Sequence, residues 1–252
     1  MKRNFTLPFI LLLIFAATAV LCGCDKESAE LAPAVALDRG LTYHFPFDGN
    51  STNVVDNKTF EIDKASYSID RFGEAGKALM LGCKCGFSQG MHNIDLRLGA
   101  PEGALSIWVN FDELNSVQPL FFKGFLGDAL PFTYSISATA SKGLAFYWTG
   151  LEHDSDQGET PYRDVPNVFA IKKWQHLLFR WSNNEGLVEI FVSGKKVLSE
   201  KYIGTGVTES DPTSVAYTPK KVGEDMYYRG RMDDFRIYDR WLNDEEVIAL
   251  AK

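Results

Sequence analysis

Apolar and polar residues alternate with period two in several short segments of this chain. Each segment places apolar side chains at every second position: Leu105–Phe111, Leu144–Trp148, Leu177–Trp181 and Val188–Val192. Such alternation predicts β-strands with one face in a core and the other face turned outward. The sequence therefore predicts that most of the chain is β-structure.

The third of these segments shows how the two faces divide. Leu177, Phe179 and Trp181 would enter the core, whereas His176 and Arg180 would point to the opposite side. The same alternation separates Tyr147 from its neighbours Phe146 and Trp148, and Glu189 from Ile190. These outward positions are candidates for ligand contact.

Turn and helix signals complete the pattern. Asn183–Gly186 and Ser193–Gly194 are typical of hairpin turns, since glycine accepts a positive φ. The convincing helix is C-terminal, where Asn243 and Glu246 have the spacing of a capping box, with a hydrophobic staple at Leu242 and Val247. Many strands and one short helix predict an all-β, two-sheet antiparallel sandwich.

The N-terminus has the three regions of a secretory signal. Lys2 and Arg3 precede an apolar stretch at Phe5–Val20, which is short for a membrane span. Leu21–Cys24 then resembles the bacterial lipobox, which implies cleavage before Cys24 and lipidation of its sulfur. We therefore expect a signal peptide at 1–23, a lipidated flexible tether at 24–40 and one folded domain at 41–252.

Charge narrows the choice of partner. The whole chain has 26 Lys+Arg and 33 Asp+Glu. Removal of Lys2 and Arg3 with the signal would leave 24 against 33, a net charge of −9. An acidic surface argues against nucleic acid and against anionic lipid headgroups as partners. It is compatible with sugars, cationic ligands and divalent metal.

Several segments resemble the laminin-G-like and concanavalin A-like jelly rolls. They are Tyr43–Asn50, Gly73–Leu79, Ser106–Val109, Trp174–His176, Val192–Val197 and Gly230–Leu242, and the likeness extends from about Leu41 to Leu250. One departure is Ser193, where the family usually has Asn in the hairpin turn. The resemblance implies a jelly-roll sandwich with a curved sheet whose outer face binds ligands.

Glycan binding requires an aromatic platform surrounded by polar groups. The residues expected to line the curved sheet are Trp108, Tyr147, His176, Arg180 and Glu189. Aromatic residues in a sandwich are more often core, which holds above all for Trp108. Tyr162, Tyr227 and Tyr228, in predicted loops, are rival candidates.

The resemblance also implies a structural calcium ion between the N-terminal acidic turn and the last strand. The matching positions are Asp48, Asn50 and Asp233, all with oxygen ligands suited to Ca²⁺. Ordinary turn formation explains Asp48–Asn50 equally well without a metal.

Catalysis is the weaker expectation. Glucanases of this superfamily have an E-x-D-x-x-E strand motif with two essential carboxylates on one face. Here Glu61-Ile62-Asp63 is followed three residues later by Ser66, so one carboxylate is missing. No catalytic residue is therefore predicted.

These observations predict a lipid-anchored binding module of the cell envelope, without catalytic activity, whose ligand is a glycan. A glucanase-type glycoside hydrolase and a protein-binding adhesin or accessory subunit of an envelope complex are the alternatives. We expect an outer-membrane lipoprotein facing the periplasm or the surface, although Asp25 after the lipidated Cys24 signals inner-membrane retention in some bacteria.

Overall fold

The computed structural model describes residues 35–59, 62, 66–82, 91–94, 101–124, 132–148, 162–202, 213–218 and 226–252. These residues form sixteen strands and one helix. In chain order they are β1 Leu41–Phe45, β2 Ser66–Ser68, β3 Ala78–Leu81, β4 Met91–Ile94, β5 Glu102–Phe111, β6 Gln118–Gly124, β7 Phe132–Ala138, β8 Leu144–Trp148, β9 Tyr162–Val165, β10 Gln175–Ser182, β11 Leu187–Val192, β12 Lys195–Lys201, β13 Thr213–Val215, β14 Tyr217–Thr218, β15 Met226–Tyr227, β16 Gly230–Tyr238 and α1 Asp244–Leu250.

Two antiparallel sheets make up the domain. The eight-stranded sheet has the order β12-β11-β10-β5-β16-β3-β2, and β1 also pairs with β16. The six-stranded sheet has the order β4-β13-β6-β7-β8-β9, and β14 and β15 form a separate hairpin pair. Because β16 closes back onto β1 and β5, the first and last strands of the domain lie side by side. The predicted all-β sandwich is confirmed.

The core lies between the two sheets and is rich in aromatic rings. Phe179 from β10 contacts Tyr134, Phe146 and Trp148 of the six-stranded sheet, with ring centroids 5.5–5.8 Å apart. Leu177, Phe179 and Trp181 are buried in this core as the alternation predicts. Burial of such large rings is the main stabilising contribution to a sandwich of this kind.

The predicted turns and helix cap are also present. Ser193 and Gly194 both have positive φ (49° and 75°), which matches a two-residue hairpin between β11 and β12. Asn243 caps α1 and forms the complete capping box with Glu246. The apolar face of α1 packs on the outer face of the eight-stranded sheet, against Leu178 and Phe191. One end of that outer face is thereby covered.

Residues 36–40 belong to the packed part of the chain, although the sequence predicts them as the end of the tether. Leu37 packs against the cluster under α1, and its carbonyl oxygen accepts a hydrogen bond from Tyr238. Arg240 donates to the carbonyl oxygens of Ala36 and Arg39. The described residues from Val35 onward form one compact unit. In this unit no helix has the length and apolar character needed to cross a membrane.

Candidate functional site

The five residues predicted to share a ligand platform lie on opposite sides of the sandwich. Trp108 on β5, His176 and Arg180 on β10, and Glu189 on β11 share the outer face of the eight-stranded sheet. Tyr147 lies on β8, in the six-stranded sheet. The prediction of one common platform is therefore wrong. Strand alternation assigned each residue to an outward face but could not say which sheet that face belongs to.

Arg180 and Glu189 are buried structural residues. The Arg180 guanidinium donates to Glu189 and to the carbonyl oxygen of Leu242, and it stacks on Trp241 with its Cζ 4.1 Å from the ring centroid. Glu189 also accepts hydrogen bonds from Lys196 and Ser199. Burial alone would raise the pKa of Glu189, but the hydrogen bonds and charges of Lys196 and Arg180 outweigh it and lower the pKa. These groups fasten the segment before α1 to the sheet.

His176 is completely buried beside Trp108. Its Nε2 lies 2.8 Å from Ser106 Oγ, and its ring is 5.4 Å from the Trp108 ring. Burial lowers the pKa of His176 to about 3, with Arg71 and Arg236 acting in the same direction against Asp234. A neutral imidazole without solvent access offers little to a ligand. Trp108 is half-buried, and the Arg71 guanidinium lies 5.2 Å from its ring centroid.

Two tyrosines are in contact on the six-stranded sheet, and one of them is exposed. Tyr147 on β8 and Tyr162 on β9 are directly opposite each other, and their rings are 4.9 Å apart at an angle of 56°. Tyr162 is 45% exposed, whereas Tyr147 is largely covered and packs on Phe122. The buried Phe122 and Tyr147 support Tyr162, which presents its ring to solvent.

Polar side chains continue this surface. Ser135 on β7 is opposite Tyr147, and Asp164 follows Tyr162 by two residues and is exposed on the same face of β9. Ser137 lies beside Ser135, with the two hydroxyl oxygens 3.4 Å apart. We call Ser135, Ser137, Tyr147, Tyr162 and Asp164 the tyrosine face. It combines an aromatic ring with hydroxyl and carboxylate groups.

A second candidate lies on the other side of the sandwich. A cleft of about 290 Å³ opens on the outer face of the eight-stranded sheet, between β1, β16 and the loop at 70–77. Among its lining residues are Asp48, Arg71, Phe72, Glu74, Lys77 and Asp233. We call this the charged cleft.

A β-bulge shapes the floor of the charged cleft. The pairing of β16 with β5 shifts between Asp233 and Arg236, and Asp234 has a φ of 50°. Adjacent residues of a regular strand point to opposite faces, but here both carboxylates reach the outer face and both bind Arg71. His44 Nε2 lies 2.7 Å from Asp234 Oδ1, to which Arg236 Nε also donates.

The two neighbouring carboxyls have opposite pKa shifts. Burial raises the pKa of Asp233 to about 6 despite the hydrogen bond and charge of Arg71. Burial also acts on Asp234, but hydrogen bonds and charges from His44 and Arg236 lower its pKa overall. One cationic partner is not enough to compensate the desolvation of Asp233, whereas Asp234 has three donors.

Two of the three residues predicted for calcium have other partners. Asp233 binds Arg71, and Asn50 Oδ1 accepts a hydrogen bond from the backbone of Thr52. Within the described ranges, no group of three or more His, Cys, Asp and Glu side chains is placed to hold a metal. Calcium at Asp48, Asn50 and Asp233 stays a prediction, and it would require Asp233 and Asn50 to release these partners.

Other sequence candidates have mixed outcomes. Tyr162 lies on strand β9 and not in a loop, and Tyr228 is buried with its hydroxyl bonded to Asn110 and Arg231. Glu61 and Asp63 of the glucanase-like segment lie outside the described residues, as does Cys24. Arg71 and Phe72 were not anticipated. Their only sequence signal is that an aromatic residue directly precedes the Gly73–Leu79 segment. No periodic pattern marks this position.

A family model matches much of the chain. The family model described as the concanavalin A-like lectin/glucanases superfamily matches residues 93–248, which is more than half of the chain. The chain belongs to this superfamily. The family resemblance predicted from the sequence is thereby confirmed.

Solved structures share the architecture at low sequence identity. Domain 4 of AbnA, a GH43 extracellular arabinanase from Geobacillus stearothermophilus solved in complex with arabinotriose, is 21% identical, with a TM-score of 0.55 over 84% of this chain and 98% of that one. The CBM40 of a Ruminococcus gnavus IT-sialidase is 15% identical, with a TM-score of 0.52 over 66% of this chain and 95% of that one.

A larger enzyme matches over only part of its length. Trypanosoma rangeli sialidase is 14% identical with a TM-score of 0.58, and the match covers 84% of this chain but 32% of the sialidase. Identities this low establish the common fold alone. A search among curated proteins finds no significant match.

Proposed function

We propose that this protein is a carbohydrate-binding module, held at the bacterial cell envelope by a lipid on Cys24, and that it has no catalytic activity of its own. The observation that carries the proposal is the pair of Tyr147 and Tyr162 on the outer face of the six-stranded sheet.

The tyrosine face has the composition that sugar recognition needs. A sugar ring presents one apolar face of C–H groups and an edge of hydroxyls, so it requires an exposed aromatic ring with polar groups beside it. Tyr162 supplies the ring, and Asp164 and Ser135 supply acceptors and donors on the same face. Tyr147 restricts the orientation of Tyr162, because the two rings are in contact. A ligand would therefore find the ring already positioned.

The relatives support a glycan as the ligand class. The arabinanase domain was solved with arabinotriose, and the Ruminococcus gnavus CBM40 was solved with α2,3 sialyllactose. Both are sugar complexes of domains with this architecture. Membership in a superfamily of lectins and glucanases points the same way.

The binding experiment uses a glycan array with the purified protein, with calcium and again with a chelator. The variant Tyr162→Ala should weaken binding about tenfold, equivalent to ~1.4 kcal/mol, and Tyr147→Ala should also weaken it. The matched control Tyr162→Phe keeps the ring and should retain most of the affinity. Saturable binding that is the same in Tyr162→Ala and the wild type would refute the tyrosine face as the site.

The same samples test the alternatives. Release of free sugar from a bound polysaccharide would show that the protein is a glycoside hydrolase and would refute a module without catalytic activity. An array without any bound glycan would favour a protein partner. Loss of binding only with chelator, reproduced by Asp48→Asn, would support the calcium site.

The anchor needs a separate experiment. Cells that express the protein would be labelled with a palmitate analogue and fractionated. The wild type should be labelled and sediment with membranes, whereas Cys24→Ala should be unlabelled. A wild-type protein without label would refute lipidation. Fractions from separated inner and outer membranes would locate the labelled protein.

A further inference from the structure

The charged cleft differs from the tyrosine face in chemistry and in position. The cleft lies on the outer face of the eight-stranded sheet, on the opposite side of the sandwich. Its volume of about 290 Å³ is at the lower end of the range of roughly 300–1,000 Å³ for small-molecule sites. A single sugar residue is of suitable size, whereas a long chain would have to continue beyond the cleft.

Negative charge exceeds positive charge among the lining residues. Five carboxylates line the cleft, on Asp48, Asp70, Glu74, Asp233 and Asp234, against the three permanent cations Arg71, Lys77 and Arg236. Without His44, three positive charges and five negative charges give a net charge of −2. An anionic ligand is therefore disfavoured.

The cations of the cleft are already engaged. Arg71 is paired with Asp233 and Asp234, Arg236 with Asp234, and Lys77 with Glu74 at 2.9 Å. By contrast, the carboxylate of Asp48 has no hydrogen bond or ion pair with any described side chain, and the second oxygen of Glu74 is likewise free of described partners. The cleft therefore has carboxylate oxygens that can still accept hydrogen bonds, and a positively charged donor is the partner that binds them most strongly.

Phe72 provides an apolar surface at the same place. It is 68% exposed, the highest value among the large apolar side chains that the structure describes. Arg71 Cζ lies 4.4 Å from the centroid of the Phe72 ring. The guanidinium holds the ring against the cleft by a cation–π contact, while most of the ring stays open to solvent.

The ammonium group of Lys77 shows how the cleft binds a primary amine. Lys77 Nζ lies 2.9 Å from Glu74 Oε2, and the negative charge of Asp48 also acts on it. The hydrogen bond to Glu74, followed by the charge of Asp48, raises the pKa of Lys77. Lys77 is half exposed, so a ligand amine can compete with it for the same carboxylates.

From this geometry we propose that the charged cleft is a second sugar-binding site, specific for an amino sugar with a free, protonated amine. The amine binds at Asp48 and Glu74, and the apolar face of the sugar ring rests on Phe72. Lys77 is the internal competitor. This site is separate from the tyrosine face and does not depend on glycan binding there.

The test compares two ligands that differ only in the amine. Isothermal titration calorimetry would be run on the purified full-length protein with the trimer of glucosamine and with the trimer of N-acetylglucosamine, at pH 6 and low salt. The glucosamine trimer should bind and the acetylated trimer should not. Affinity should fall as salt rises, because the contact is between exposed charges.

Variants assign the contact to the cleft. Phe72→Ala and Asp48→Asn should each weaken binding of the glucosamine trimer by about three- to tenfold, the size expected for one exposed charge or aromatic contact. Both positions are exposed, so neither variant should unfold the domain. Lys77→Met should tighten binding, because the competitor is removed. Val117→Ala and Glu185→Gln change one exposed apolar and one exposed acidic side chain outside both sites, and these controls should leave this binding unchanged.

Three results would overturn the proposal. They are equal affinity for both trimers, binding that Phe72→Ala and Asp48→Asn leave unchanged, and absence of binding to the glucosamine trimer. A lysine-containing peptide that binds at the cleft when the glucosamine trimer does not would assign the acidic cleft to a protein partner and refute the sugar. Loss of glycan binding at the tyrosine face alone would leave the result at the cleft unaffected.

Discussion

Arg180 and Glu189 stand directly opposite each other on β10 and β11, and their side chains are only 4% and 3% exposed. The pair lies on the outer face of a sheet, where the alternation of the strands suggests solvent or ligand. Instead, Trp241 and the start of α1 close over it, and Arg180 donates to Leu242 and Asp244. The pair therefore holds the C-terminal segment on the sheet.

We expect Arg180→Met to destabilise the domain by about 3–5 kcal/mol, because it leaves the buried Glu189 carboxylate without its main partner. Urea denaturation followed by tryptophan fluorescence measures the free energy of unfolding. The double variant Arg180→Met/Glu189→Leu should recover most of the loss, since it removes both charges together. A stable Arg180→Met that no longer binds glycan would restore Arg180 as a ligand contact.

The buried His176 should make the domain sensitive to acid. Its pKa is about 3 in the folded protein against 6.5 ordinarily, because burial disfavours the charged ring. The unfolded chain binds the proton more readily, so stability is lost as pH falls from 6.5 towards 3, by up to about 1.4 kcal/mol per pH unit. His176→Gln, which can keep a hydrogen bond to Ser106, should lack this contribution. The measurement is the free energy of unfolding of the wild type and of His176→Gln between pH 7 and 4. If the two proteins have the same pH dependence, His176 does not make this contribution.

Asp233 should have the opposite effect on the pH dependence of stability over part of the same pH range. Its pKa is about 6 in the folded protein against 3.8 ordinarily, because burial outweighs the effect of Arg71. Its stabilising contribution is therefore complete below pH 3.8 and lost as pH rises through 6. Asp233→Asn should become more stable relative to the wild type as pH rises from 4 to 7.

His176→Gln and Asp233→Asn serve as controls for each other, because each removes one of two opposing contributions to the pH dependence of stability. Between about pH 4 and 6, His176 and Asp233 oppose each other in the wild type, so its profile should be flatter than that of either variant. His176→Gln should lose stability as pH rises through this window, and Asp233→Asn should gain it. Variant slopes of the same sign would show that one of the two assignments is wrong.

The fold could be predicted from local sequence because its elements obey local rules. Leu177, Phe179 and Trp181 occupy every second position of their strand, and their burial on one face follows from the geometry of a strand. Ser193-Gly194 and the Asn243–Glu246 box depend on residues a few positions apart, and both are present as expected. The order of the strands in the sheets had no such local signal and was not predicted; only the structure gives it.

The binding surfaces could not be derived in the same way. Tyr147 and His176 both alternate out of the core, but they belong to different sheets, which only the long-range pairing shows. The shift between Asp233 and Arg236, which turns both carboxylates to one face, also arises from the pairing of β16 with β5. Alternation in this strand would have sent Asp234 to the core side. Phe72 lies in a loop without periodicity, so the sequence has no signal for its contact with Arg71.

The capping box of α1 gives a further test of how the outer face is closed. Asn243 Oδ1 accepts from the backbone of Glu246, whose carboxylate accepts from the backbone of Asn243 and from Arg240. We expect Asn243→Ala to cost about 1 kcal/mol of unfolding free energy, because a helix of seven residues has few other hydrogen bonds to hold its first turn. The matched control is Ile248→Ala in the same helix, which is 49% exposed and should change stability by less than about 0.5 kcal/mol.

The effect of Asn243→Ala should extend beyond the helix. Leu242 and Val247 are packed on Leu178, so a loosened first turn would admit water to the buried Arg180 and Glu189. Hydrogen exchange at the backbone of β10 and β11 should therefore become faster in Asn243→Ala than in Ile248→Ala. Equal exchange in the two variants would mean that the sheet holds this ion pair without help from the helix, and that α1 covers the outer face but does not stabilise it.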